Sequence, residues 1–252
     1  MPAALPASTR ANAGSLDPLA LYASAIDTSD YASRVAPLIR RLTSDIGDLV
    51  DVGAGGGQLG AALLDRSSRW TVIEPSPVMQ ARLALRTERP LIIPLGWDDE
   101  RIVCEPADTV LAATMPGYFH DPLAFLARCR RWARRQIVWV VPAQAAPKGL
   151  ILAACLPRDW HREDETPGID LVLPKLGSDL PDRSDVTGWT FSLELPDLAA
   201  FATFQADRLG WTPDDPRRPE LFDHLHKQAV PTSAGFRLSC HRRSAILVWD
   251  LP

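Results

Sequence analysis

The chain has 252 residues, a hydrophobic fraction of 46%, a net charge of −4 and a pI near 5.7. This supports one large α/β core or a core with a small cap, and the acidic balance without a long basic tract argues against a nucleic-acid partner. No run approaches the ~20 apolar residues of a membrane span, and the opening MPAALP lacks the apolar stretch of a secretory signal, so the expectation is a soluble, cytoplasmic protein with no membrane partner.

Residues 1–16, rich in Ala, Pro and Ser, read as a disordered tail. Helices are expected from Leu19 to Leu42. There Tyr31, Val35, Leu38, Ile39 and Leu42 form an apolar stripe, and Pro37 must kink the second helix or lie near its start. Leu49, Val50 and Val52 are strand formers with Asp51 among them, and the chain then turns through Gly53, Gly55, Gly56, Gly57 and Gly60. So many glycines mean backbone at positive φ or backbone that something approaches closely. Leu59, Ala62 and Leu63 restore helical spacing, so a ligand above the turn would meet N–H groups and the positive end of a helix dipole.

A second strand runs from Trp70 to Glu74, ending on a carboxylate roughly 20 residues beyond the first glycine, the spacing of a ribose-holding acid. Ser76 reads as an N-cap and Pro77 as a first helical residue, predicting a helix from Val78 to about Arg89. The third strand is Leu91–Leu95, followed by Gly96, Trp97, Asp98 and Asp99, and the fourth is Ala107–Ala113. Asp121 and Pro122 cap a helix with Phe125, Leu126, Cys129, Trp132 and Ala133 on one face. The almost unbroken apolar run Gln136–Pro142 then suits a strand buried on both sides. The arginines 128, 130, 131, 134 and 135 fall at that helix's C-terminus, where cations complement the dipole.

From about Ala143 to Ala234 prolines, acids and tryptophans accumulate and the alternation stops. Arg158–Gly168 reads as loop, Pro196–Leu209 and Arg217–Ala229 as helices. The stretch reads as a cap insertion, its aromatics (Trp160, Trp189, Trp211, Phe201, Phe204) serving as a small core or as contacts for a flat acceptor. Gly235–Trp249 reads as two strands around a short turn. The cysteines 104, 129, 155 and 240 stand singly and the histidines form no ligand cluster, so no metal is expected.

The segment Asp51-Val-Gly-Ala-Gly-Gly-Gly resembles the first motif of the class I S-adenosylmethionine-dependent methyltransferases, Asp/Glu-x-Gly-x-Gly-x-Gly. The resemblance implies a Rossmann-like, mostly parallel seven-stranded sheet with an antiparallel C-terminal strand pair and N-terminal helices over the cofactor. A core of residues 17–143 and 235–252 would carry the cap 144–234. It implies S-adenosyl-L-methionine as cofactor, held by Asp51, Gly53, Ala54, Gly55 and Gly57, by Glu74 and Pro75 at the ribose, by Trp97 and Asp98 near the adenine, and by Thr114. The segment Thr114–His120 would line the place of methyl transfer, with Tyr118 and His120 contacting the acceptor and His120 able to serve as general base. This segment departs from the Asn/Asp-Pro-Pro-Tyr/Phe motif of amino-methylating nucleic-acid enzymes, so the implied acceptor is a small molecule, methylated by in-line displacement. Residues Gly55 to Gly60 also match G-x-G-x-x-G, which keeps an NAD(P)-dependent oxidoreductase open. A non-catalytic scaffold that kept the fold is the third reading.

Overall fold

A computed structural model describes residues 16–43, 45–113, 120–146, 156–161 and 163–252. Helix α1 (Pro18–Thr28) begins where the Asp17 carboxylate accepts the Ala20 N–H at 2.8 Å, with Pro18 opening the first turn. Ser29 and Asp30 break the chain, and α2 (Tyr31–Leu42) buries Tyr31, Val35, Leu38 and Ile39 of the expected stripe. Pro37 lies inside α2 on its exposed side, so the Ser33 carbonyl that loses its N–H partner can turn to water.

The central part alternates as expected: β1 (Leu49–Val52), α3 (Gln58–Leu63), β2 (Trp70–Ile73), α4 (Pro77–Ala84), β3 (Leu91–Ile93), β4 (Ala107–Ala113), α5 (Pro122–Trp132) and β5 (Ala133–Pro142). Helix α4 ends five residues before the expected Arg89. Its last turn tightens, with Leu85 N–H to the Arg82 carbonyl and Arg86 N–H to the Leu83 carbonyl. This brings the Arg86 Nε back to donate to the Gly56 carbonyl at 2.6 Å. Beyond β5 come a 3-10 turn at Arg158–Trp160, α6 (Gly168–Val172), β6 (Arg183–Leu195), α7 (Leu198–Arg208), α8 (Arg217–Gln228), β7 (Val230–Thr232) and β8 (Gly235–Asp250).

The sheet order is β3-β2-β1-β4-β5-β8-β6, with β7 on β8. The first five strands are parallel, and β8 runs antiparallel to both β5 and β6. The order reverses between β1 and β4, which opens a crevice at the carboxyl ends of those strands. Alternate residues of β5 serve the two faces: Val138 and Val140 join the core under α1, α2, α3, α7 and α8, while Ile137, Trp139 and Val141 join the core under α5 and α6. A strand covered on both sides is apolar throughout.

The antiparallel pair is built differently from the expectation. Gly235 to Asp250 is one continuous strand, without the turn read into it, and its main partner is β6, from the stretch read as cap. Ser239–Arg243 is the part of β8 that continues past the end of β5, where pairing stops at Pro142 opposite Ser244. There the strand is covered on one side only, so its residues alternate between exposed and half-buried. In β6, Trp189, Phe191, Leu193 and Leu195 alternate as a half-buried strand should. The N-terminal helices pin this overhang. Asp30 Oδ1 accepts the Thr190 N–H at 2.5 Å, Ser29 Oγ accepts the Ser192 N–H at 2.9 Å, and Thr28 Oγ1 donates to the Ser192 carbonyl at 2.6 Å. No described helix is long and apolar enough to cross a membrane.

Candidate functional site

The site begins where β1 stops. The Gly53 N–H donates to the Ile73 carbonyl at 2.7 Å, the last rung of the β1–β2 ladder before the chain turns. Gly53 and Gly55 hold φ of 65° and 57°, a region that L side chains rarely adopt. A Cβ at Gly55 would meet nothing within 4 Å, so the loop faces open space there. Gly57 does different work. It caps α3 in the left-handed conformation, and a Cβ on it would stand 2.7 Å from both Leu83 and the Trp70 ring.

The open space is a cavity of about 550 Å³ at the carboxyl ends of β1 and β2. Gly53, Ala54 and Gly55 line it together with Asp51, Glu74 and Pro75. Leu19, Tyr22, Ala23 and Ile26 cover it from α1, and Arg208 reaches it from α7. Helix α1 is held over the loop through Asp27, which accepts hydrogen bonds from the Gln58 amide of α3 and the Arg82 guanidinium of α4. The volume falls in the range of small-molecule sites, and the lining mixes apolar side chains with few polar ones.

Two buried carboxylates face this cavity in unlike surroundings. Glu74, 4% exposed, accepts the Gly55 N–H on Oε2 at 2.9 Å and the Ser76 N–H on Oε1 at 2.8 Å. Those donors fix it against the glycine loop. Asp51, 2% exposed, sits in the middle of the sheet between Val72 and Leu111. Burial, and then the negative charge of Glu74, push its carboxyl up to about 7, against a weaker pull from the Trp70 indole and the Arg86 guanidinium. Gly60 leaves room for this carboxyl, since a Cβ there would collide with Asp51 Oδ2 and the Trp70 ring.

The structure thus brings together Asp51, Gly53, Ala54, Gly55, Glu74 and Pro75 on one cavity. Gly57 supports the loop from behind. Trp97 and Asp98 do not line the cavity: the Trp97 ring stands edge-on to Phe125 at 5.1 Å, and Asp98 is exposed. His120 is exposed, and its carbonyl accepts a hydrogen bond from Lys175 Nζ at 3.3 Å. Thr114 and Tyr118 lie outside the described residues. The expected cap aromatics are mostly core: Phe201, Trp211 and Trp189 are buried, and Trp160 packs on Trp211 and His224. Sequence reasoning missed Tyr22, Tyr31, Gln58, Met79 and Arg208 as lining residues. The α1 residues had a signal in their place before the glycine motif, whereas Arg208 had none beyond being a cation at a helix end.

No protein-family model matches the sequence, and no curated protein matches it. Solved structures do. A protein named as a type II methyltransferase from Anaeromyxobacter dehalogenans is 18% identical, with 86% of this chain and 94% of that chain covered at a TM-score of 0.53. A protein named as a methyltransferase from Bacillus halodurans is 15% identical, covering 86% of this chain and 97% of its own at a TM-score of 0.50. At 0.48, an S-adenosylmethionine-dependent methyltransferase from Geobacter sulfurreducens, solved with S-adenosylhomocysteine, is 14% identical over 94% of this chain and 98% of that one. At such identities the first two likenesses show the fold alone: the chain has the mostly parallel, Rossmann-like α/β fold of these two methyltransferase-named structures.

Proposed function

We propose that the chain is an S-adenosylmethionine-dependent methyltransferase acting on a small-molecule acceptor. One observation carries the reading: the glycine turn after β1 and the carboxylate at the tip of β2 line the same cavity, in hydrogen-bond contact with each other. S-adenosylmethionine supplies a methyl group on a positively charged sulfur. The chain's part is to hold, orient and exclude water. Glu74 accepts the ribose hydroxyls, the Gly53–Gly55 loop gives the amino-acid part room, and Asp51 offers a carboxyl that a neighbouring cation draws into its ionised form. Helix α1 shields the cavity with Leu19, Tyr22 and Ile26. The segment from Thr114 to His120, following β4, presents the acceptor, with Tyr118 and His120 as its contacts.

The loop's hydrogen bonds favour this reading over a dinucleotide enzyme. A pyrophosphate needs N–H groups aimed at it. Here the Gly53 N–H is taken by Ile73, the Gly55 N–H by Glu74 and the Gly57 N–H by the Ala54 carbonyl at 2.9 Å. Titration calorimetry with S-adenosylhomocysteine tests the proposal. Saturable binding is expected, with NADH failing to compete. Absence of heat at millimolar S-adenosylhomocysteine, or displacement by NADH, would overturn it.

A further inference from the structure

The cavity presents two acidic side chains, Asp51 and Glu74, on the sheet side. Among the described residues that line it, Arg208 is the one cation. It sits at the last position of α7, in the stretch the sequence marks as a cap, and its guanidinium carbon lies 5.7 Å from the centre of the Phe204 ring one turn earlier. Phe204 in turn packs on Phe201, which is fully buried, with ring centres 6.2 Å apart. The guanidinium itself therefore rests beside a ring that packs on a buried one, while the residue is exposed and lines the cavity.

A cavity lined by carboxylates suits the positive parts of a ligand and repels negative ones. A planar guanidinium on the opposite element reverses that locally and offers paired donors that match a carboxylate. We propose that Arg208 is an anion-binding residue of this site, pairing with a carboxylate of the bound ligand across the cavity from Asp51 and Glu74. The inference rests on the methyltransferase reading. That carboxylate belongs either to the amino-acid tail of the cofactor or to the acceptor, and the chemistry Arg208 offers is the same for both. In either case the antiparallel part of the fold contributes directly to ligand recognition, a role the glycine motif does not reveal.

The test compares S-adenosylhomocysteine, which carries the carboxylate, with 5′-methylthioadenosine, which lacks it, by calorimetry on the wild type, Arg208→Gln and Arg208→Lys. If Arg208 holds the cofactor's tail, Arg208→Gln weakens S-adenosylhomocysteine binding by roughly 10- to 100-fold and leaves 5′-methylthioadenosine unchanged. Arg208→Lys then recovers part of the loss, since it keeps the charge but not the fork. If Arg208 faces the acceptor, both nucleosides bind the variants normally. Benzoate then binds the wild type saturated with S-adenosylhomocysteine and fails to bind Arg208→Gln. Equal affinities for all three ligands in wild type and Arg208→Gln overturn the inference while leaving the methyltransferase reading intact. A wild type that binds neither nucleoside removes both. Because Arg208 is exposed, the substitutions do not disturb the core, and matching thermal melts check this.

Discussion

In the parallel half of the sheet the strands run from 3 residues in β3 to 10 in β5, and the candidate cavity sits at the tips of β1 and β2. In the antiparallel half β6 and β8 run 13 and 16 residues and overhang the end of β5. The short strands end in backbone groups that face a common crevice, as at Gly53 and Glu74. The long ribbon ends in helices. It carries α7, whose Arg208 reaches the same crevice, and gives α1 and α2 an edge to dock on through Asp30, Ser29 and Thr28. One half supplies the carboxylates and the glycine loop, and the other supplies a wall through Arg208.

The strongest way to break this comparison is to ask whether the ribbon and its helices fold apart from the sheet. Phe201 of α7 and Phe125 of α5 are both fully buried, one in each half. Phe201→Ala is expected to cost about 3–5 kcal/mol, as is Phe125→Ala, because both leave a cavity in a packed core. Urea unfolding followed by circular dichroism and by tryptophan fluorescence should give one coincident transition in each variant. Two separated transitions for Phe201→Ala would show that the ribbon and cap are an independent unit.

A second experiment concerns the charge held inside the parallel half. Folded, Asp51 keeps its proton until about pH 7; unfolded, it releases it near 3.8. Between those values the folded chain binds more protons, so this group's contribution makes stability fall as pH rises and level off above about 7. The whole span is worth up to about 4 kcal/mol. Asp51→Asn removes the term, so its stability relative to the wild type should rise from pH 4 to pH 8 in urea melts. A difference independent of pH would contradict the protonated, buried state.

The third concerns the strand tip. Glu74→Ala should weaken S-adenosylhomocysteine binding by roughly 30- to 200-fold, the loss of about 2–3 kcal/mol of charge-assisted hydrogen bonding. Calorimetry reads it directly, and an unchanged affinity would move the ribose elsewhere. The smallest effect is expected at the seam between the two halves. Asp27→Ala frees α1 from Gln58 and Arg82, and because that carboxylate is partly exposed, stability should change by less than about 1 kcal/mol. Hydrogen exchange in α1 should nevertheless rise over the cavity, and unaltered protection would mean that packing against β6 alone positions the helix.

The parallel half was legible because each of its signals is local. Asp51 to Gly57 spells a strand tip and turn, Glu74 with Ser76 and Pro77 spells the next tip and cap, and Gln136–Pro142 is apolar on both faces. The ribbon was not, because its pattern depends on what lies beside it. Gly235 to Trp249 reads as two strands around a turn, yet it is one strand whose Ser239–Arg243 part continues past the end of β5 and is covered on one side only. Trp189, Phe191, Leu193 and Leu195 alternate in β6, but they lie in a stretch whose prolines, acids and tryptophans read as a cap. Within the site, the residues of the glycine motif and Glu74 were readable. Tyr22 and Arg208 were not, since contact across the cavity is set by how α1 and α7 dock rather than by spacing along the chain. Trp97 illustrates the converse: its place after the third strand suggested adenine, yet its ring is engaged with Phe125.

The bond from the Gly55 N–H to Glu74 has a further consequence. A carboxylate offers about four lone-pair positions, and the two backbone donors at Gly55 and Ser76 occupy one on each oxygen. One acceptor position is left on each oxygen, a pair that a vicinal diol can fill and a single hydroxyl cannot. On the role proposed for Glu74, a 2′-deoxy sugar would leave one buried acceptor dry, so discrimination between ribo- and deoxyribonucleosides would follow from the backbone donors at Gly55 and Ser76.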